Sequence, residues 1–259
     1  TGMEAGEYCA IWLGPELPGD QRSDDARSAC FDSAPLAADM DITGAPKIRL
    51  RLSADRPQAQ IAVRLNHLHP DGAATRITYG VLNLSHRNSH AEPAPLEPGK
   101  AYEVELDLDH IAYRVPAGHR LRVAVSTAYW PLIWPSPEAA SLTLLEGRAE
   151  LPQRPSGDAD EWQFEPPDMA AEWQVETLRE PAHSRQVVRD LPTGEVRLEI
   201  VDDFGRRRDL DHGLESGSVA RETWAIHPDD PLSARGWCHW TEEICRAETD
   251  LLTEATCEM

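Results

Sequence analysis

The chain has 259 residues, 41% of them hydrophobic, and carries a formal net charge of −20 at pH 7. This hydrophobic content excludes wholesale disorder, and no apolar run approaches the roughly 20 residues of a membrane-spanning helix. Because the negative charge repels phosphates and no local basic face is visible, we expect neither a nucleic-acid nor a membrane partner. The length is sufficient for one large β domain or two ordinary ones.

Strand patterns begin after an irregular N-terminal segment, residues 1–35, which is rich in turn-forming and charged residues. Beyond it, hydrophobic and polar residues alternate, as in strands with one buried face. The predicted strands in this part of the chain are 47–53, 60–65, 75–84, 102–108, 120–126 and 141–145. Proline and glycine turns separate them and helical periodicity is almost absent, which indicates an antiparallel sandwich or barrel.

A segment rich in proline and acidic residues, 151–170, interrupts the pattern. Strand patterns then resume at 173–178, 186–190, 195–201, 219–226 and 238–245. These strands could form a second domain. We favour one β-sandwich over residues 36–259, interrupted by that segment, because half a sandwich would leave a hydrophobic face uncovered.

Cysteine usage indicates a reducing compartment. The cysteines are five in number and include no C-x-x-C pair: Cys9, Cys30, Cys238, Cys245 and Cys257. Such a set predicts reduced thiols in a bacterial cytoplasmic protein, with a Cys238–Cys245 disulfide as the alternative. Since the chain starts and stops within its patterns, we expect it to be a segment of a longer protein.

One cluster, Ser85, His86, Ser89 and His90, contains the residue types of hydrolytic active sites. In an extended chain neighbouring side chains point to opposite faces, so Ser85 and His86 would diverge instead of forming a hydrogen bond. The G-x-S-x-G motif of a nucleophile elbow is absent, and its nearest approach, residues 213–217, has Glu215 in the serine position. We therefore expect no catalytic residue here and interpret the cluster as a polar loop whose side chains satisfy backbone groups.

His67 and His69 alternate along a strand and could present two imidazoles on one face, as a zinc site requires. Their spacing indicates no third ligand, although Asp71 or a distant histidine could supply one. Two alternating histidines beside a Pro-Asp-Gly turn are usually surface residues. We therefore expect no metal ion or other cofactor, and keep His67 and His69 as the metal candidates.

The segment 129–135 (YWPLIWP) is aromatic and held extended by its prolines. Its two tryptophans could stack on a sugar, or they could anchor a domain interface, where tryptophan is enriched. We favour the interface. The candidate interface or ligand-contact residues are Tyr129, Trp130, Trp134, Ser85, His86 and His90.

A family resemblance is carried by an ordered set of segments. They are 18–25 (PGDQRSDD), 31–36 (FDSAPL), 63–65 (VRL), 69–72 (HPDG), 78–84 (TYGVLNL) with His86 and Arg87, 116–120 (PAGHR), 129–135, and 231–234 (PLSA). Together they resemble the C-terminal jelly-roll domain of cocaine-esterase-like (CocE/NonD) acyl esterases, which are related to X-prolyl dipeptidyl aminopeptidases and α-amino-acid ester hydrolases. The likeness extends from about residue 18 to 234.

The resemblance implies a parent enzyme with an α/β-hydrolase domain, a helical cap and a jelly-roll, galactose-binding-like β-sandwich. In that family the Ser, Asp and His of the triad belong to the hydrolase domain, so none maps onto this chain. The implied function is an accessory domain of a serine hydrolase for acyl esters or peptide-like bonds. Its implied partner is the α/β-hydrolase domain of the same protein, with self-association into a homo-oligomer as an open alternative. Other functions to weigh are a stand-alone carbohydrate- or ligand-binding sandwich and a metal-dependent enzyme built around His67 and His69.

Overall fold

The computed structural model describes residues 1–10, 16–154 and 163–259, and its regular structure is almost entirely antiparallel β. Two compact units divide the chain, Thr1–Pro155 (unit 1) and Ser156–Met259 (unit 2). In the described residues, helix is confined to α1 (Arg22–Asp25) and a 3₁₀ turn (Leu84–His86). None of these helices is long and apolar enough to cross a bilayer.

The described residues of unit 1 form nine strands. They are β1 (Ala29–Asp32), β2 (Met40–Gly44), β3 (Lys47–Ala54), β4 (Gln60–Leu68), β5 (Ala74–Asn83), β6 (Tyr102–Asp107), β7 (Ile111–Val115), β8 (Arg120–Ser126) and β9 (Leu142–Glu150). They form a four-stranded sheet ordered β1-β8-β4-β5, a three-stranded sheet ordered β6-β3-β9 and the pair β2-β7. The expected all-β sandwich is confirmed for this unit.

The core of the sandwich lies between the four-stranded sheet and the other two sheets. Alternation places Ile61, Val63 and Leu65 of β4 on the inner face. Leu50 and Leu52 of β3, from the three-stranded sheet, belong to the same buried cluster. The period-2 hydrophobic pattern of these two strands is therefore the direct cause of the two-layer packing.

The outer face of the four-stranded sheet is polar but buried, because the N-terminal segment covers it. Arg64 of β4 has no exposed surface, and its Nη2 lies 3.1 Å from the Asp25 carboxylate of α1. Asp24, also buried, accepts a hydrogen bond of 2.9 Å from the backbone N–H of Gly2. The described part of residues 1–35, predicted to be irregular, thus contains the edge strand β1 and the helix α1, and the segment around α1 covers one face of the sheet.

In unit 2, the residues that the structure describes form one six-stranded antiparallel sheet. Its strands are β10 (Val175–Arg179), β11 (Ala182–Arg189), β12 (Val196–Asp209), β13 (Glu215–His227), β14 (Asp230–Arg246) and β15 (Thr249–Glu258). The order is β10-β12-β13-β14-β15, and β11 pairs with β12 beside β10. We expected these strands to continue one sandwich over 36–259, whereas in the described residues they pair only with one another. The middle of the predicted interruption, 155–162, lies outside the described residues.

Long hairpins explain why unit 2 forms its own sheet. Strands β12 to β14 are 14, 13 and 17 residues long and follow one another through short turns, so neighbouring backbones satisfy each other locally. The five cysteines are free thiols. The alternative Cys238–Cys245 disulfide is wrong, because both residues lie on β14, seven positions or about 23 Å apart, and face opposite sides. Cys238 instead lies directly opposite Cys257 of β15.

Candidate functional site

The loop that follows β5 does not assemble a nucleophile and a base. The Asn83 side chain accepts a hydrogen bond of 3.0 Å from the backbone N–H of Ser85, which caps the 3₁₀ turn. The Ser85 carbonyl accepts another, of 2.8 Å, from the N–H of Ala94. Within the described residues no hydrogen bond joins Ser85 to a histidine, and the rings of His86 and His90 stack on each other at 5.8 Å. A nucleophile needs a base within hydrogen-bond reach, and this arrangement does not provide one.

The aromatic segment is mostly internal. Tyr129 has no exposed surface and its hydroxyl accepts a hydrogen bond of 2.6 Å from Arg76. Trp130 is also buried, whereas Trp134 is 45% exposed. The two indole rings meet edge to face, 5.0 Å apart at 75°. Because one ring is buried and the pair is nearly perpendicular, they do not form the flat platform on which a sugar would stack.

Trp134 and the Ser85–His90 loop lie at the same end of the unit 1 sandwich. The link is Gln60, the first residue of β4, whose side-chain amide donates a hydrogen bond of 3.0 Å to the Trp134 carbonyl. In the sheet, Gln60 pairs with Asn83, the residue that caps the turn beginning the loop. We call this end of the sandwich, with Trp134, Gln60 and residues 84–90, the Trp134 end.

Three histidines meet at the opposite end of β4. His67 is buried on the inner face of the strand, and His69 follows the strand in the turn to β5. His119 comes from the turn between β7 and β8. One ring nitrogen from each of the three lies within 4.8 Å of the others. His67 Nε2 and His119 Nδ1 are 2.6 Å apart.

Strand pairing explains why His119 joins the two histidines found from sequence. β4 and β8 are neighbours, with His67 opposite Leu121, so the residues just before β8 lie beside the end of β4. His119 is 52 positions from His67, and sequence spacing carries no signal of their proximity. Its only mark in the sequence is its place in a Pro-Ala-Gly-His turn. The alternative third ligand, Asp71, instead accepts a hydrogen bond of 3.0 Å from the N–H of Ala73 in its own turn.

The surroundings of His67 favour its neutral form. Burial lowers the pKa of His67 from 6.5 to about 4, with smaller contributions from His69 and His119. Its second ring nitrogen, Nδ1, makes a hydrogen bond of 2.9 Å with the hydroxyl of Tyr113 on β7. That bond orients the imidazole and directs Nε2 towards the other two histidines.

The structure defines a class of protein, an all-β sandwich module. Its described residues assemble no serine-histidine pair. The profile of the X-Pro dipeptidyl-peptidase C-terminal non-catalytic domain matches residues 2–188, and the chain belongs to that family. The resemblance inferred from the ordered motifs is thereby confirmed.

Curated relatives are similar over less than half of the chain. The cocaine esterase of Rhodococcus sp. (strain MB1 Bresler) is 28% identical over 46% of this chain and 21% of its own length. A putative Xaa-Pro dipeptidyl-peptidase of Streptomyces avermitilis is 29% identical over 46% of this chain and 24% of its own. The matched region thus spans only a fifth to a quarter of these relatives.

Solved structures support the fold alone. An α-amino acid ester hydrolase superposes with a TM-score of 0.51 at 21% identity, covering 54% of this chain and 28% of that one. An aminopeptidase from the marine sediment archaeon Thaumarchaeota archaeon gives a TM-score of 0.51 at 20% identity, covering 57% and 30%.

Proposed function

We propose that this chain is the accessory β domain of a longer serine hydrolase that cleaves acyl esters or X-Pro peptide bonds. The observation that carries the proposal is the match of the non-catalytic family to residues 2–188. The described residues of the Ser85–His90 loop support it, since they contain no nucleophile–base pair. In this proposal the nucleophile, base and orienting acid belong to an α/β-hydrolase domain on which the sandwich packs.

A direct assay of the purified chain tests its non-catalytic role. Incubation with p-nitrophenyl acetate and with Gly-Pro-p-nitroanilide is expected to give no turnover above buffer. The matched variant is Ser85→Ala, which should behave like the unaltered chain because the Ser85 side chain has no base beside it. Turnover by the chain that disappears in Ser85→Ala would contradict the proposal.

The Trp134 end is our candidate for the surface that contacts the hydrolase domain. Its support is an exposed tryptophan and a polar loop at the same end of the sandwich, joined through Gln60. Large aromatic side chains supply much of the energy of protein interfaces. Covering the exposed part of Trp134, roughly 100 Å², would contribute about 2.5 kcal/mol to docking.

Hydrogen exchange of the longer hydrolase and of the isolated chain tests this surface. Backbone amides at 84–90 and around Trp134 should exchange more slowly in the longer protein, because docking removes them from solvent. In that protein, Trp134→Ala should lower the unfolding temperature. Trp237→Ala is the matched control, since Trp237 of unit 2 is also partly exposed, at 36%. Equal effects of the two variants, or protection confined to other surfaces, would exclude the Trp134 end.

A further inference from the structure

The three-histidine cluster has the donor set of a transition-metal site. His67, His69 and His119 each offer one ring nitrogen, and these nitrogens lie within 4.8 Å of one another. Imidazole nitrogen suits Zn²⁺ and its first-row neighbours, whereas Mg²⁺ and Ca²⁺ prefer oxygen ligands. The cluster contains no carboxylate. Its chemistry therefore selects a zinc-like cation and not an alkaline-earth ion.

The distances are close to those of a bound site. Two imidazole nitrogens on a tetrahedral Zn²⁺ are about 3.4 Å apart, given bonds of about 2.0–2.1 Å. His67 and His119 must separate slightly from 2.6 Å, and His69 must approach. Both adjustments require movement only of residues in turns, because His69 follows β4 and His119 precedes β8. His67, on the strand itself, is the fixed ligand.

A second shell is already present around this cluster. The Tyr113 hydroxyl bonds His67 Nδ1 at 2.9 Å, which leaves Nε2 as the nitrogen directed at the cluster. The Thr75 hydroxyl contacts His69 Nε2 at 3.0 Å, which leaves Nδ1 of that ring as the second ligand atom. Hydrogen bonds from the opposite ring nitrogen are the usual way in which proteins orient histidine ligands.

We propose that His67, His69 and His119 bind one Zn²⁺ ion, with a fourth coordination position open to solvent. The open position follows from the half-buried state of His69 and His119 at the rim of the sandwich. The ion would fasten the β4–β5 turn to the β7–β8 turn. Zinc binding is a property of unit 1 itself and does not depend on a hydrolase domain, so its failure would leave the accessory role untouched.

The test is a zinc titration of the full chain, after removal of any affinity tag and of bound metal with a chelator. Calorimetry should give one Zn²⁺ per chain, elemental analysis should find the same after desalting, and zinc should raise the unfolding temperature. His69→Ala and His119→Ala should each weaken binding at least tenfold. Both residues lie in turns at the rim of the sandwich. Measuring the unfolding temperature of each variant without zinc checks that the variant folds.

Two further variants sharpen the test. Tyr113→Phe removes the second-shell hydroxyl and should weaken zinc binding about tenfold, since outer-shell partners contribute 10- to 100-fold. His110→Ala removes an exposed histidine of the same unit and should leave binding unchanged. Mg²⁺ and Ca²⁺ in excess should not displace the zinc. Absence of zinc binding by the unaltered chain would overturn the proposal. So would His69→Ala and His119→Ala variants that bind zinc as tightly as the unaltered chain.

Discussion

Replacing Arg64 with alanine should lower the free energy of unfolding of unit 1 by about 3–5 kcal/mol. Arg64 is fully buried, and its guanidinium lies 3.1 Å from Asp25 and 3.7 Å from Asp24. Both carboxylates are themselves buried. Asp25 would keep its contact with Arg122, at 3.1 Å, but Asp24 would lose its guanidinium partner. An uncompensated charge inside the protein is the reason for the size of the effect.

The same guanidinium donates two hydrogen bonds to neutral side chains, and the alanine variant would also lose these. It donates to Gln21 Oε1 at 3.2 Å and to Ser28 Oγ at 2.7 Å. Gln21 is buried, so its oxygen would be left unsatisfied. For a unit of this size, each kcal/mol changes the unfolding temperature by about 2–4 °C, and the expected decrease is therefore about 6–20 °C.

Differential scanning calorimetry of the full chain is the assay, with the transition of unit 2 as an internal reference. The matched control is Arg49→Ala on β3, because Arg49 also contacts two carboxylates, Glu105 and Glu150, but is 49% exposed. Exposed pairs contribute at most about 1 kcal/mol. If Arg64→Ala shifted the transition no more than Arg49→Ala, the N-terminal segment would not be held by this buried network.

Two further predictions concern unit 2 and the inner face of unit 1. Under a thiol oxidant such as diamide, Cys238 and Cys257 should each lose a hydrogen atom and form a cross-strand disulfide, because directly opposed residues of antiparallel strands lie within the Cα–Cα range of disulfides. Non-reducing peptide mapping should find this bond in Cys245→Ser and not in Cys238→Ser; a bond to Cys245 would contradict the register of β14 and β15. In unit 1, Gly80→Ala places a methyl group 2.9 Å from the Asp107 carbonyl oxygen and from a Leu108 methyl group, and should cost about 1–3 kcal/mol in calorimetry. Gly147→Ala is its control, because there the new methyl group would approach only a Leu50 methyl group, at 3.3 Å; equal losses would refute the argument from close packing.

The strands that the sequence predicts well are those with one face in the core. Arg120–Ser126 has the predicted bounds, β3 differs from its prediction by one residue at one end, and β5 differs by one residue at each end. Such strands must alternate, since one side contacts hydrocarbon and the other does not. Strand β15 was missed because all of its residues are exposed, so no hydrophobic period marks it. β15 is held in place by backbone hydrogen bonds to β14. Backbone pairing of this kind does not require any particular pattern of side chains.

For the candidate sites, the sequence supplied residue types and the absence of a nucleophile elbow. It identified His67 and His69 but could not find His119, because their proximity depends on β8 lying beside β4. It singled out the tryptophans but could not say that Trp130 is internal and Trp134 exposed. The role of these aromatic residues and of the Ser85–His90 loop as an interface stays a prediction.

By itself, the sequence determined the all-β sandwich class, and its ordered motifs identified the family. Alternation and turn residues are local, so they can be read along the chain. Tertiary structure alone decided that residues 156–259 form a separate unit, that Arg64 meets Asp24 and Asp25, and that three histidines converge at one end of the sandwich. These contacts join residues far apart in the chain, and only strand order and register bring them together.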